Sequence, residues 1–576
     1  MVSITRAQPR ETIRVTLSDD LVLEGKIGTT IEQFLLAAHE IKPYDSPIMG
    51  GILDGRLREL AYPVMRDANI VPVLLSSSDG GRIYRRSLVL LLTTAVEELW
   101  PDTKVAVSYS VPDGGFYCRL INRDPLTQDE LAVLDEHMRH IVANNDPITK
   151  RVAPLEEASA LFESRNDSDK VRLLEQRTRD DLVLYNLRGR EDYYYGYMVS
   201  STGYLQYFRL IPVDGGFILQ YPRKESGTSL GDITAYEKLT QVFREADHWL
   251  QRMGVEDIGR LNRIVREDRV HELILVAEAL HEQRIAWIAS EIVYKHEKEG
   301  VRIVLIAGPS SSGKTTFAKR LAIQLLAHGV RPFTLEMDNY FVDRELTPRD
   351  ESGEYDFEAL HALNLPLFNQ QLLQMIREQE VTLPQFDFLT GRSMPGRLAR
   401  LSKGQIIIIE GIHGLNPALV PDIPRDAIYR VYVSALTQLN IDLHNRVSTT
   451  DVRLLRRIVR DAHHRGFNAA DTLKRWPSVR RGEKRYIFPY QENADTMFNS
   501  ALVYELAAIK SMVEPLLLQV KYGTPEHIEA KRILSFLNWV QPLTEEQQAH
   551  IPDTSLLREF IGGSSLQNYH PYHPGQ

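Results

Sequence analysis

Two short alternating apolar runs, TIRVTL at 12–17 and NIVPVLL at 69–75, flank a segment at 30–39 whose apolar residues recur on one helical face. That pattern predicts a small β-grasp-like domain over 1–76. Helical spacing from 86 to 99 follows. A strand-like run at 105–120 is then broken by the turn Asp113-Gly114-Gly115, an amphipathic segment spans 126–145 behind Pro125, and a strand-rich stretch covers 170–222. Together these predict an α+β unit over 77–235. Residues 236–300 read as connecting helices, with the clearest periodicity in Leu273, Ile274, Val276, Ala277, Leu280, Ile285, Ile288 and Ile292. Short apolar runs at 302–307, 331–337, 406–409, 428–433 and 501–504, separated by helical segments, predict a parallel sheet covered on both faces over 301–525. The remaining 526–576 hold further helix and, after Ile561, a Gly-, Ser-, His- and Pro-containing tail expected to be flexible. The fold class is thus a multidomain chain combining α/β and α+β units.

At 576 residues the chain has room for roughly three to five such units. With 43% hydrophobic and 25% charged residues, it is neither collagen-like nor disordered. The net charge of −9, from 68 Lys+Arg against 77 Asp+Glu, supplies no overall field toward nucleic acid or anionic lipid, so a basic site has to be local. The single cysteine, Cys118, excludes an intrachain disulfide and a cysteine-built zinc cage, and suits a reducing cytoplasm. No apolar run approaches the ~20 residues of a membrane span, and the first fifteen residues lack the apolar core of a secretory signal. Neither membrane insertion nor export is expected.

The chemistry concentrates behind the run 302–307. Gly308-Pro309-Ser310-Ser311-Ser312-Gly313-Lys314-Thr315 fits G-x-x-x-x-G-K-[ST] without a mismatch, and helical sequence follows from Thr316. Glycines there let backbone N–H groups wrap phosphate oxygens, and the helix N-terminus adds partial positive charge. Gly308, Ser310, Ser311, Ser312, Gly313, Lys314, Thr315 and Thr316 therefore form the candidate ATP cradle. Lys314 is expected to reach the β- and γ-phosphates and the Thr315 hydroxyl to hold Mg²⁺. The bland alternative is a Gly/Ser-rich turn without a ligand, and the loop alone leaves open whether phosphate passes to water, a protein motion or an acceptor.

Phosphoryl transfer to a hydroxyl needs one carboxylate near the acceptor and another near the metal. Asp338 follows the run 331–337 and Glu410 follows 406–409, and in open α/β sheets such strand ends share one crevice. Asp338 is the candidate base and Glu410 the candidate metal-side carboxylate; as isolated residues they would read as a helix cap and a loop charge. Residues 453–465 are rich in arginine, and Leu454, Leu455, Ile458, Val459 and Ala462 form an apolar helical face that pushes the arginines to the other side. Such a helix can close as a lid over phosphate, lie as a solvated charged face or make a small nucleic-acid contact.

Together the motifs GPSSSGKTT at 308–316, DNYF at 338–341, YDFE at 355–358, LPQFDFLTGRS at 383–393, IIIIEGI at 406–412 and RLLRRIVRD at 453–461 resemble the uridine kinase and phosphoribulokinase branch of the P-loop kinases. The resemblance implies Asp338 as catalytic base, Glu410 on the metal side, Arg457, Arg460 and Arg465 as lid arginines, and an acceptor pocket including Phe341, Glu358, Phe386 and Phe388. It departs from uridine kinases at Glu358, where those enzymes place an aspartate on the ribose, and at Phe386 and Gly391, where they read the pyrimidine edge with tyrosine and histidine. An apolar ring and a glycine cannot supply those hydrogen bonds.

The front half resembles the N-terminal region of threonyl-tRNA synthetases, with a TGS-like β-grasp domain and then the second additional domain that edits mischarged tRNA. The phrases at 85–92, 97–104 and 114–118 carry this resemblance. The family's metal-binding positions correspond here to Arg86, Leu90, Gly196 and Ser200, so neither metal binding nor editing is expected. The implied activity is an ATP- and Mg²⁺-dependent kinase acting on a hydroxyl of a small molecule, a nucleoside or sugar. The rival is an RNA- or translation-associated regulator that uses the P-loop domain as a nucleotide switch. RNA contact through the TGS-like half has no support from charge, and a third option gives the front half a structural role as a dimerisation platform.

Overall fold

In the first unit, Ile13, Val15 and Leu17 alternate inward along the strand Thr12–Leu17 and meet Phe34 and Leu35 of the helix Ile31–Ile41. The helix starts where it does because Thr30 and Gln33 cap each other: Thr30 Oγ1 accepts from Gln33 N, and Gln33 Oε1 accepts from Thr30 N at 3.0 Å. A five-stranded sheet results, with Thr12–Leu17 parallel to Ala68–Leu74 and the remaining neighbours antiparallel. The computed structural model describes residues 10–17, 20–234, 236–349, 353, 355–387, 390–436 and 439–570.

The second unit is organised by the helix Ser78–Leu99, which begins well before its periodicity becomes legible at 86. Ser77 caps it, accepting from Gly80 N at 3.0 Å, and the chain turns so tightly out of Ala68–Leu74 that a Cβ on Gly80 would stand 1.9 Å from the Leu74 carbonyl oxygen. Leu88 to Leu92 are fully buried and serve as the spine against which a four-stranded sheet packs, built from the hairpins Lys104–Val111/Gly115–Ile121 and Arg209–Val213/Gly216–Gln220. A three-stranded sheet, Thr149–Pro154, Asp181–Leu187 and Arg190–Tyr193, lies beside it.

Five parallel strands form the last sheet, in the order Pro332–Glu336, Ile406–Glu410, Ile303–Ala307, Ile428–Ser434 and Thr496–Asn499. The three inner strands are buried almost throughout, which is why they read as continuous apolar runs. The expected strand at 501–504 is a correction: those residues form the turn into the helix Glu505–Leu518, and the strand is Thr496–Asn499. Leu502 and Tyr504 are apolar because they anchor that turn in the core, a role a short apolar run does not distinguish from a strand. A hairpin, Val381–Asp387 with Arg392–Ala399, packs beside the 3₁₀ turn Met337–Tyr340.

A single apolar cluster runs from Ala153, Phe162 and Leu173 through Ile274 and Ile288 of the connecting helix Val270–Lys298 to Leu321, Val431, Leu454 and Phe560. The front and back halves therefore share one interior. The tail expected to be loose after Ile561 is placed as far as His570, because Lys319 Nζ donates to the Leu566 and Gln567 carbonyls at 2.7 and 3.0 Å and Leu566 is buried. Residues 571–576 lie outside the described residues. No helix among the described residues is long and apolar enough to cross a membrane.

Candidate active site

The loop between Ile303–Ala307 and the helix Lys314–Ala327 is set by steric limits before chemistry. A Cβ on Gly308 would stand 1.9 Å from the Val433 carbonyl oxygen, so only glycine lets the loop pass beside that strand. Ser311 and Gly313 take left-handed conformations, φ +57° and +83°, the kind of turn from which consecutive N–H groups form an anion-binding concavity. Lys314 folds back over the loop and donates to the Pro309 carbonyl at 3.2 Å. The Ser311 and Ser312 hydroxyls are buried, and among the described residues neither has a hydrogen-bond partner, so the loop offers donors that polyphosphate oxygens would satisfy.

The loop is braced from outside. Ser310 N donates to Glu483 Oε1 at 3.0 Å, Arg453 donates to the Ser310 carbonyl at 3.1 Å while pairing with Glu483, and Ser500 Oγ donates to the Ser312 carbonyl at 2.5 Å. Thr315 Oγ1 donates to Glu410 Oε1 at 2.9 Å. This hydroxyl and carboxylate form an all-oxygen donor set of the kind Mg²⁺ takes. Burial raises the Glu410 carboxyl above its ordinary range, Glu559 and Asp338 push it further up, and Lys314 and the Thr315 bond pull it down.

Asp338 lies in the 3₁₀ turn Met337–Tyr340 directly after Pro332–Glu336, whose register sets Glu336 opposite Glu410. The N-cap of that turn is Glu336, so Asp338 is not a cap. Asp338 is exposed as a residue, while the protein around its carboxyl crowds that group. Burial raises its pKa, the Lys314 ammonium opposes the rise and Glu336 adds to it. Lys314, Asp338 and Glu410 are thus close enough to act on one another's charge.

Glu358, expected in the acceptor pocket, packs against Gly482 of the helix Ala469–Tyr486, and burial with Glu483 raises its carboxyl while Lys314 and Arg457 lower it. Beside it, Tyr486 Oη donates to Asp356 Oδ2 at 2.8 Å, and His413, buried and lowered to about 4, meets the Tyr486 ring edge-on. Phe341 meets Phe386 at 5.6 Å, and Phe386 N donates to Asn339 Oδ1 at 3.3 Å. Phe388 lies outside the described residues. The space beside Gly391 is taken by the Arg344 side chain: a Cβ there would stand 2.7 Å from Arg344 Nε.

The arginine helix Thr449–His464 departs from expectation. Arg453 and Arg456 are 1% and 0% exposed rather than turned to the outer side. Glu483 and Glu505 pair with them and make that burial tolerable. Arg457 Nη1 reaches the loop, donating to Ser310 Oγ at 2.8 Å, whereas Arg460 and Arg465 gather with it around Asp461 at 3.7 and 3.5 Å. Glu483, Ser500, Arg453 and Glu559 were not singled out from the sequence. They lie far from the loop along the chain; Arg453 falls inside the arginine-rich run and Glu559 inside the run IPDTSLLREFIGG at 551–563, which resembles the C-terminal segment of bacterial fused uridine-kinase-like proteins.

In the front half, Leu90 is buried in the core and Ser200 Oγ donates to Glu32 Oε1 at 2.8 Å. Arg86 occupies the space above Gly196, where a Cβ would stand 2.7 Å from its Cζ, and donates to the Tyr197 carbonyl at 2.6 Å. A cavity of about 770 Å³, lined by Glu32, Arg139, Tyr204 and Phe208 among others, lies elsewhere in this half and contains none of the residues named for phosphate chemistry.

Residues 303–507 match the model of the Phosphoribulokinase / Uridine kinase family. The chain is 35% identical over 170 residues to the threonine–tRNA ligase of Burkholderia lata, covering 29% of this chain and 27% of that protein. It is 30% identical over 253 residues to the threonine–tRNA ligase of Polaromonas sp., covering 42% and 39%. It thus spans well under half the length of these curated relatives. Among solved structures, a protein described as a fructose transport system kinase from Silicibacter sp. TM1040 is similar at 21% identity and TM-score 0.26, over 37% of this chain and 98% of that one. One described as a possible uridine kinase from Bacillus stearothermophilus is similar at 27% identity and TM-score 0.23, over 26% and 79%. The chain therefore carries a phosphoribulokinase / uridine kinase family domain at 303–507, behind an N-terminal half similar to threonine–tRNA ligases.

Proposed function

We propose that the chain is a cytoplasmic, ATP-dependent kinase that transfers the γ-phosphoryl group to a hydroxyl of a nucleoside or sugar. The observation that carries this reading is the placement of Lys314, the Thr315–Glu410 pair and Asp338 at adjoining strand ends. Bound ATP with Mg²⁺ supplies the phosphoryl group and neutralises part of its charge. Lys314, once it leaves the Pro309 carbonyl, is free to hold phosphate oxygens. Thr315 and Glu410 would hold the metal ion. Asp338 would orient the acceptor hydroxyl and take its proton on a carboxylate oxygen, a contribution of about 10² to 10⁴ in rate. Arg457 is already anchored at the loop through Ser310, and Arg460 and Arg465 would join it by turning from Asp461. Glu358, with Asp356 and Tyr486 beside it, gives the acceptor pocket polar groups that suit a polyhydroxyl compound.

Incubating the full chain with ATP, Mg²⁺ and a panel of nucleosides and sugars is expected to yield a phosphorylated product. Absence of product across the panel, with ATP bound, would count against transfer. The base must be ionised to act, and its pKa is raised, so kcat is expected to climb with pH through a midpoint above the ordinary aspartate value of about 3.9. A flat kcat profile from pH 4 to 7 would remove Asp338 from the role. The second reading, a nucleotide switch working with RNA, is favoured by the similarity of the front half to threonine–tRNA ligases. It requires tRNA-dependent ATP hydrolysis without acceptor product.

A further inference from the structure

We infer that Glu559 of the C-terminal segment is a built-in ligand of the phosphate loop, competing with the α-phosphate of a bound nucleotide. The inference rests on the phosphate-binding reading of the loop. Glu559 Oε2 accepts from Thr316 N at 3.3 Å and from Thr316 Oγ1 at 2.8 Å. Thr316 stands in the first turn of the helix that follows the Gly-Lys-Thr run, where backbone N–H groups cradle the α- and β-phosphates. A carboxylate oxygen on those two donors takes the position of a phosphate oxygen and carries the same sign of charge.

The seat is held firmly. Leu556, fully buried, lies against Gly313 so closely that a Cβ there would stand 2.2 Å from Leu556 Cδ2. Ser555 Oγ donates to Glu278 Oε1 at 2.5 Å, and Phe560, also fully buried, lies beneath the Arg456 guanidinium at 5.1 Å. These anchors belong to the shared core, so nucleotide entry calls for rotation of the Glu559 side chain rather than departure of the segment. A displaced carboxylate stays within the field of two cations that already have partners: Arg460, whose Nε lies 3.7 Å from Asp461, and Lys319, whose Nζ holds the Leu566 and Gln567 carbonyls. Glu559 thus sets a threshold for occupancy of the loop and lowers its affinity for any ligand that brings an α-phosphate.

The test uses the full chain, with ADP and inorganic pyrophosphate titrated by calorimetry in Mg²⁺ buffer into the unaltered protein, Glu559→Gln, Glu559→Ala and Lys314→Ala. The expected result is that both Glu559 variants bind ADP at least tenfold more tightly while pyrophosphate, which the inner part of the loop can hold alone, is unchanged. ADP affinity that stays the same or falls in both variants overturns the inference, and so does an equal gain for both ligands, which would mark a general charge effect. Circular dichroism of each variant guards against misfolding, with the isosteric Gln the more conservative change. If Lys314→Ala binds ADP as the unaltered chain does, the loop is not the nucleotide site and the phosphate-binding reading fails first.

Discussion

Asp338→Asn is expected to leave nucleotide affinity within a factor of about two and to lower kcat by about 10²- to 10⁴-fold, the range that one positioned base supplies. Asparagine keeps the size of the side chain and loses the ability to accept a proton, so the effect belongs to chemistry rather than to packing. The residue has no part in the sheet ladder and caps no helix, which keeps the structural cost small. Single-turnover measurement of γ-phosphoryl transfer, alongside nucleotide titration, separates the two. Turnover preserved in the variant would leave the cleft without a base and shift weight to the switch reading. Nucleotide affinity lost together with turnover would instead point to Asp338 as part of the phosphate or metal site.

The second large effect concerns the joint between the halves. Lys170 is buried between Asp192 and Asp442, its Nζ 3.0 and 3.3 Å from their carboxylates, and His444 Nδ1 lies 3.0 Å from Asp192. Burial alone would lower the ammonium pKa, but the two aspartates outweigh it and raise it. Lys170→Met leaves both carboxylates buried without their shared cation and is expected to cost about 3–5 kcal/mol. A calorimetric scan should show an early transition, and Asp442→Asn added to Lys170→Met should recover part of the loss. Burial pushes the Asp192 carboxyl up, but Lys170 and His444 outweigh burial and hold it well below the ordinary range. Its stabilising contribution is therefore complete above about pH 4 and is lost only as the pH falls through the depressed folded value.

That joint bears on the site. Residues 440–446 are stitched to the second unit by Val107 N to the Leu443 carbonyl at 2.9 Å, Tyr195 Oη to the Arg446 carbonyl at 2.7 Å and Arg446 Nε to the Ser108 carbonyl at 3.1 Å. The arginine helix starts immediately afterward, and its Asp451 is gripped by Arg532, which shares Glu529 with Arg82 of the helix Ser78–Leu99. The end of the helix that carries Arg457 is thus tied to the front half. Loss of the Lys170 joint is expected to loosen that helix as well as the interface.

The phosphate loop was legible because its parts are contiguous: two glycines, a lysine and a threonine between an apolar run and a helix admit few other folds. Capped helices such as Ile31–Ile41 were legible for the same reason, since Thr30 and Gln33 are local partners. The helix Ser78–Leu99 was only half legible, because Gly80 breaks the helical pattern for the sake of a close approach to Leu74. Residues 501–504 misled because an apolar turn anchor and an apolar strand are written alike. Arg453 and Arg456 misled because the burial of a charge depends on Glu483 and Glu505, which are supplied from other segments.

The amino-acid order by itself determined the nucleotide loop, the two acidic strand ends and the kinship of each half, since these reside in short runs whose neighbours along the chain are their neighbours in space. Only the tertiary structure decided which arginines face the loop and which are buried, that Arg86 fills the space above Gly196, and that Glu559 rests on Thr316. Those contacts join residues far apart in sequence, and their energies come from burial and charge compensation, which exist only after the core has closed.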